Sequence, residues 1–520
     1  MATTQVYPTT TIPMPSDIQA HTNELFDFDD EYLVQSDIKQ EDFVRVYDRT
    51  GTGAGGIADK NHFLFQMNDV SNNSFYAPSR SYLKVDFHIR RPTTGTPPVA
   101  DTNMMTFASD IRSIFRRVRF SLAGQTVTDV PDFFYAWVGQ DANFWTPQYL
   151  NEQGRMMLCY PKRDSQPGME MRTCSWCSPL SVTDATPGNN TPVRNNNTYQ
   201  NSRGLRENLS ASLETGSAIP IVGTNISCFI PLPHMSSALQ YMDKAITQLQ
   251  WEIELWCSDD FVRCYNSTPT TLAKFEFVNN GIELWAKRYT PSETGRLVLT
   301  EQLNRGFDFT TKFADLQIHR FPIDEGNPNA LKFDDIRVTT TANRPIAAIV
   351  AYQYGDTWTT QRFETDEFTS AHVKEISMLI NNVQVPTEAM TGIQNYDDIP
   401  ANEYPYKTQI TDCDLVRYYH EYLKFCGNYK APFLTGFGSG AGTLTKIDWL
   451  ATGAPYCFSL SEREIGAWSG SNSEIRVRAV RENLTTQPLV RTDLHMWVFL
   501  WVERELSIHQ ENWNSYISVA

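Results

Sequence analysis

Cysteine is scarce and unframed in this chain: nine residues, an odd number, are scattered over 520 positions. That excludes a disulfide scaffold of the small secreted type and points to free thiols in a reducing compartment. Positive charge is also short. Lys and Arg total 44 against 60 Asp and Glu, a net charge of −16 that argues against wrapping nucleic acid by neutralising phosphates. The start, "MATTQVYPTTTIPMPSD", has neither a basic nor an apolar signal region. No secretory signal is read there, the sequons at Asn208 and Asn483 are expected to stay unglycosylated, and the product is expected to be intracellular and soluble. Long hydrophobic runs are missing as well. The seven apolar residues Met496 to Val502 stop at Glu503-Arg504-Glu505, well short of the ~20 that a spanning helix needs.

What is present favours strands. Aromatics make up 12% of the chain, beside 28 Pro and 27 Gly, a composition suited to a β-rich, loop-rich protein. In "DLHMWVFLWVERELSI" (493–508), Leu494, Met496, Val498, Leu500, Val502, Leu506 and Ile508 share one row of a strand, broken only by Arg504. His495, Trp497, Phe499, Trp501, Glu503, Glu505 and Ser507 form the other row. A helix would scatter the two glutamates. The expectation is a tall strand, roughly 50 Å at ~3.3 Å per residue, dry on both faces at its centre and wet on one at its end.

The elements repeat. "VRFSLAGQTVTDV" (118–130) reads as strand, turn at Ala123-Gly124 and returning strand, and "VKEISMLINNVQVPTEA" (373–389) as the same unit with an Asn-Asn turn. A closing trio follows each: "ISCFIPLP", "ITQLQWEIELW" and "FEFVNNGIELWAKRY" in the first half, "YCFSL", "EIRVRAVREN" and "LHMWVFLWVERELSI" in the second. The last pair, each with a central Trp, is the closest parallel. "TDCDLVRYYHEYLKFCGN" (411–428) reads as a helix capped by Thr411 and ending before Gly427, and "SETGRLVLTEQLNRG" (292–306) as a helix between the halves. Residues 17–49 carry ten acidic against three basic residues, set among Phe26, Phe28, Tyr32, Phe43 and Tyr47. "GTGAGG" at 51–56 reads as a hinge after them, and the Asn-rich stretch 186–204 as a surface loop. The economical architecture is all-β, two tandem β-sandwiches with a few short helices. Its expected parts are an arm and hinge at 1–56, sandwiches at 57–290 and 307–510, a linker helix at 291–306 and a tail at 511–520.

Candidate chemistry is thin. Cys174 and Cys177 have zinc-ligand spacing, but no second pair lies near them. A duplicated cupin-like metal enzyme would need clustered histidines, and none of the nine fall two apart; His420 sits on the expected helix. "GTGAGG" and "GFGSGAG" (436–442) lack the Gly-Lys-Ser/Thr ending of a phosphate loop. Asp259-Asp260 follow a strand and mark its turn rather than an acid pair. Arg112, Arg116, Arg117 and Arg119 lack a surrounding surplus of positive charge. A carbohydrate-binding adhesin would want a secretory signal. No catalytic residue, cofactor or metal site is assigned, and an enzyme is not expected.

On "NNSFYAPSRSYLKVDFHI" (72–89) as the opening strand region, "VRFSLAGQTVTDV" followed by "FFYAWVGQ", "ISMLINNVQVP" and "DLHMWVFLWVERELSI", the chain resembles the double jelly-roll major capsid proteins of icosahedral double-stranded DNA viruses. In style it is most similar to the polinton-like, virophage and adintovirus branch. The resemblance implies two upright jelly rolls per chain, a homotrimer forming a pseudo-hexagonal capsomer, neighbouring capsomers and minor capsid and penton proteins as partners, and a place in the virion. The residues expected to matter are then of fold and interface. Trp285 and Trp497 would pack between sheets, Gly124 and Asn382 would hold tight turns, and Phe26, Phe28 and Tyr32 would dock on a neighbour or a minor protein.

Overall fold

The computed structural model describes residues 38–51, 56–67, 74–90, 103–107, 111–133, 156–157, 226–240, 250–258, 262–266, 274–323, 331–342, 344–354, 373–391, 416–428, 455–460, 473–481, 494–511 and 514–519. The first half holds β1 (Ile38–Val46), β2 (His62–Met67), β3 (Phe75–Arg90), β4 (Asn103–Phe107), β5 (Phe115–Leu122), β6 (Gln125–Pro131), β7 (Ile226–Pro231), β8 (Trp251–Cys257), β9 (Val262–Asn266) and β10 (Lys274–Pro291). The second holds β11 (Phe307–Ile323), β12 (Lys332–Ala342), β13 (Pro345–Tyr354), β14 (Val373–Ile380), β15 (Val383–Thr391), β16 (Tyr456–Ser459), β17 (Ser473–Arg481), β18 (Leu494–Glu511) and β19 (Asn514–Val519). Among the described residues, three α-helices punctuate them: α1 (Ser237–Gln240), α2 (Glu293–Arg305) and α3 (Val416–Asn428).

The two halves have one topology. Sheet order β1-β10-β3-β7 in the first is matched by β11-β18-β13-β16 in the second, and β2-β8-β5-β6 by β12-β17-β14-β15. The pairs described are all antiparallel, and the first strand of each half lies beside its long closing strand, β1 on β10 and β11 on β18. Each half is therefore an eight-stranded jelly roll, and the chain is a tandem of two. β4 and β9 form a separate two-stranded ribbon in the first half.

Local chemistry fixes the matching hairpins. Ala123 and Gly124 stand at φ 45 and 78, Asn381 and Asn382 at φ 48 and 66. Two residues in succession at positive φ make the tight loop whose twist suits flanking antiparallel strands. A third positive-φ site sits in β10, where the register against β3 slips between Phe277 and Ile282. The extra residues hold Asn279 at φ 56 and Gly281 at φ 69. A Cβ on Gly281 would lie 3.2 Å from both Phe277 Cβ and the Phe63 ring, whereas one on Gly124 would meet nothing within 4 Å. Gly281→Ala is thus expected to cost about 2–4 kcal/mol, backbone strain plus crowding, and Gly124→Ala only about 1 kcal/mol. Urea denaturation of both variants checks the difference.

α2 stands between the rolls. Ser292 caps it, its hydroxyl accepting from the Gly295 amide at 3.1 Å, and Gly306 ends it at φ 90. α3 carries Tyr418, Tyr422 and Phe425 as its buried stripe. It runs on to Asn428, through Gly427 rather than stopping before it.

Three boundary expectations are corrected. Ile38–Val46, placed in the arm, is strand β1, paired along β10 from Ile38↔Pro291 to Val46↔Leu284. Beyond it the Asp48 carboxylate accepts from the Leu64 amide at 2.7 Å and pairs with Lys60, so the chain is inside the first roll well before residue 56. The "SYLKVDFHIRR" segment is accordingly the third strand of its roll, not the opening one. The expected tail also pairs: Asn514–Val519 adds to β18 from Glu511↔Asn514 to Leu506↔Val519. In the arm and the tail, main-chain pairing turned a segment expected to lie outside the rolls into a strand.

Candidate assembly surface

In the first roll the two faces of the β1-β10-β3-β7 sheet differ. In the first roll, Ile282, Leu284 and Ala286 of β10 and Leu83 and Val85 of β3 are fully buried. They face β2, whose Phe63 ring meets Phe277 edge-on at 4.9 Å. Trp285 alternates with Leu284 and Ala286, so it points away from the sandwich interior. It stacks on Tyr82 (6.0 Å, 9°), and Tyr82 also meets Phe43 at 5.2 Å and Phe229 at 5.3 Å. This outer aromatic patch is half-buried, and Phe43 is 41% exposed. Burial holds the Tyr82 hydroxyl above its ordinary pKa.

Ion pairs hold β1 in place, Arg288–Asp42 on the inner row and Lys287–Glu41 and Arg45–Glu283 around the outer patch. Arg288 Nε donates to Asp42 Oδ1 at 2.8 Å, and that bond holds the Asp42 carboxyl below its ordinary pKa. Lys287 Nζ lies 2.9 Å from Glu41 and 4.9 Å over the Phe43 ring, and Arg45 pairs with Glu283. These contacts are how a charge-rich segment repays strand formation on an edge.

In the second roll the corresponding sheet is closed on both faces. Met496, Val498, Leu500 and Val502 are buried, and so are Trp497, Phe499 and Trp501. The even-numbered row faces the sandwich interior: Tyr352 pairs with Met496 across the sheet and lies 5.9 Å from the Arg481 guanidinium of the opposite sheet. Trp497 therefore lies on the outer row, beside Phe499 and under Arg320. Neither Trp285 nor Trp497 packs between the two sheets of its own roll, which corrects that expectation; strand alternation puts both outside.

The seam between rolls runs along β11 and β18. α1 and β6 of the first roll contact β11. Arg504, the residue that breaks the apolar row, donates through Nη1 to the Val127 carbonyl of β6 at 3.1 Å and to Asp315 Oδ2 at 3.2 Å. Asp315 Oδ1 is buried without a hydrogen-bond partner. Burial, against the pull of Arg504, pushes the Asp315 pKa up to about 6. The folded protein then holds this proton between pH ~4 and ~6 while the unfolded chain does not. Stability should be highest below that window and fall, by of order 3 kcal/mol, as pH rises through it. Unfolding free energies from pH 4 to 7 should show the loss, and Asp315→Asn should flatten it; an unchanged slope in that variant would place the titration elsewhere.

The remaining candidates resolve differently. Gly124 and Asn382 sit in the two hairpin loops. Phe26, Phe28, Tyr32, Cys174, Cys177, Asp259, Asp260, the loop 186–204 and "GFGSGAG" lie outside the described residues. Of the basic cluster, Arg117 is held by Asp129 and Arg119 by Glu254, while Arg112 is fully buried. His420 is exposed on α3. Among the described residues no three His, Cys, Asp or Glu side chains group as metal ligands, and no helix is long and apolar enough to cross a membrane. Sequence reasoning missed the Phe43 patch and the Asp315 seam. Arg504, a lone charge in an apolar row, was the available signal for the second.

No protein-family model and no curated protein matches the chain. Solved structures do. A chain from the cryo-EM structure of the Sputnik virophage aligns with a TM-score of 0.52 at 12% identity, over 99% of this chain and 93% of that one. VP54 of PBCV-1, as fitted into a Sputnik reconstruction, aligns at 0.50 and 8% identity, over 95% and 99%. The mavirus major capsid protein aligns at 0.43 and 11% identity, over 92% and 90%. The first two establish the fold as a double jelly roll across nearly the whole chain.

Proposed function

We propose that this chain is a major capsid protein that trimerises into pseudo-hexagonal capsomers of an icosahedral viral shell, and so resides in the virion. The observation that carries this reading is the pairing of two jelly rolls of one strand order, fused through a tight seam, with an aromatic sheet face left open on one of them. Two upright rolls per chain give six sandwiches in three copies, a tile that fits hexagonal packing. That both structures carrying the fold comparison belong to virus reconstructions supports the reading. The virophage, polinton-like and adintovirus branch is the proposed placement. The first roll spans 38–291, the linker helix 293–305 and the second roll 307–519.

The test is the mass of the purified full chain. Sedimentation equilibrium should give three times the 59.4 kDa chain mass at micromolar concentration; a stable monomer would overturn the proposal. Permanent interfaces of this kind bury ~2,000 Å² or more.

The acidic segment before β1, with Phe26, Phe28 and Tyr32, is proposed to tie the capsomer to a neighbouring capsomer or to a minor capsid or penton protein. Its charge repels phosphates, and aromatics among carboxylates suit an apolar pocket with a basic rim. Because β1 belongs to the roll, the informative deletion is 1–37. It should leave trimers intact and reduce the yield of closed shells; normal yield would exclude the role.

A further inference from the structure

Arg504 interrupts the apolar row of β18, and its place beside the first roll gives it two partners. Its Nη1 donates to the Val127 carbonyl of β6 at 3.1 Å and to Asp315 Oδ2 of β11 at 3.2 Å. One nitrogen thus serves an acceptor in each roll. Among the described residues no backbone ladder joins β6 to β11, so side chains hold this junction rather than a sheet. α1, which also contacts β11, brings "SALQ" and no titratable group.

Burial sets Asp315 against its ionised form. Its Oδ1 is buried without a hydrogen-bond partner. On β6, two residues beyond Val127, Asp129 lies close enough to act on it as a like charge, while Arg117 of β5 holds that carboxylate at 2.7 Å. His319 follows Asp315 along the same row of β11. Burial holds the His319 pKa below its ordinary value, so it adds no cation at neutral pH. Arg504 is the cation that pairs with Asp315, and burial still prevails: the carboxyl is neutral below a pKa of about 6 and ionised above it. The arginine side chain is 30% exposed against 11% for the aspartate, so solvent stands at the arginine's end of the pair.

We propose that Asp315 works as a proton-operated latch on the junction between the two rolls. With the carboxyl neutral, Arg504 holds the Val127 carbonyl and the junction is closed. With it ionised, the carboxylate outcompetes the carbonyl for the guanidinium. Oδ1 then draws in water, because a charged oxygen without a partner costs more to bury than a neutral one. Water enters from the arginine's side, and β6 moves away from β11, helped by repulsion from Asp129. The junction tightens on acidification and loosens at neutral pH. The inference concerns a single chain and is independent of how copies assemble.

Distances between two spin labels test it. The labels are unnatural amino acids replacing Gln125 of β6 and Thr310 of β11, both exposed and one in each roll. Labelled chain is assembled with an excess of unlabelled chain, so that each distance is read within one copy. At about pH 5 the distribution should be narrow; at about pH 7.5 it should broaden and extend to longer distances. Asp315→Asn, which keeps the neutral shape, should stay narrow at both. Asp129→Asn removes the nearby carboxylate and should move the midpoint of the change to lower pH. A pair at Gln125 and Asn61, both in the first roll, should give one distribution throughout. Equal wild-type distributions at the two pH values would overturn the latch. So would a pH step that survives in Asp315→Asn, or one that appears alike in the Gln125–Asn61 pair.

Discussion

Trp497→Ala is expected to destabilise the folded chain by about 3–5 kcal/mol, the range for emptying a buried aromatic site. The indole is fully buried on the outer row of β18, with the Phe499 ring 6.3 Å away and the Arg320 guanidinium 5.6 Å above it. Strands β11 and β13 flank it with long, nearly continuous registers, so the backbone cannot collapse into the space. Trp285→Ala supplies the contrast. That ring is half-buried on an open face, so its removal should cost roughly 1–2 kcal/mol of stability and act chiefly on association between copies. Denaturant midpoints and sedimentation of the two variants separate these effects. Equal losses of stability would mean that the two outer faces are closed alike.

Arg481→Met should be nearly as damaging. Arg481 lies on the interior side of β17, and its Nη2 donates to Asp334 Oδ1 of β12 at 3.2 Å. The two side chains are 6% and 11% exposed. The guanidinium also lies 5.9 Å from the ring of Tyr352, whose hydroxyl pKa burial pushes up. Removing one partner of a buried pair leaves the other desolvated, at a cost of about 3–5 kcal/mol. Replacing both, Arg481→Met with Asp334→Leu, should recover most of the loss, because an apolar pair of similar volume packs without that penalty. A double variant as unstable as the single one would show that the arginine acts through packing alone.

How much of this was legible depended on what fixed each element. The hairpins at 123–124 and 381–382 could be read directly, because alternation on both sides of a Gly or Asn pair is local information. So could the closing strand β18, whose centre is apolar on both rows, and the capped helix between the rolls. Strand β1 could not. "IKQEDFVRV" has the composition of a solvated segment, and it becomes a strand because Lys287 and Arg288, some 240 positions away, pair with Glu41 and Asp42. Strands β11, β12 and β13 were likewise hidden. β12 mixes charges that are satisfied across the sheet, as in Arg476–Asp335. β13, "PIAAIVAYQY", is buried on both faces and gives no period. The open face around Phe43 exists only once β1 is seated beside β10, so no local pattern could reveal it.

The central claim is that two like rolls in each chain assemble, three chains together, into a six-sandwich tile. Negative-stain electron microscopy of the purified full chain tests this most directly. The predicted projection is a hexagonal outline with six density maxima, related by threefold symmetry and alternating in detail because the two rolls differ. Isolated two-lobed particles, or a dimer with a single twofold axis, would contradict it.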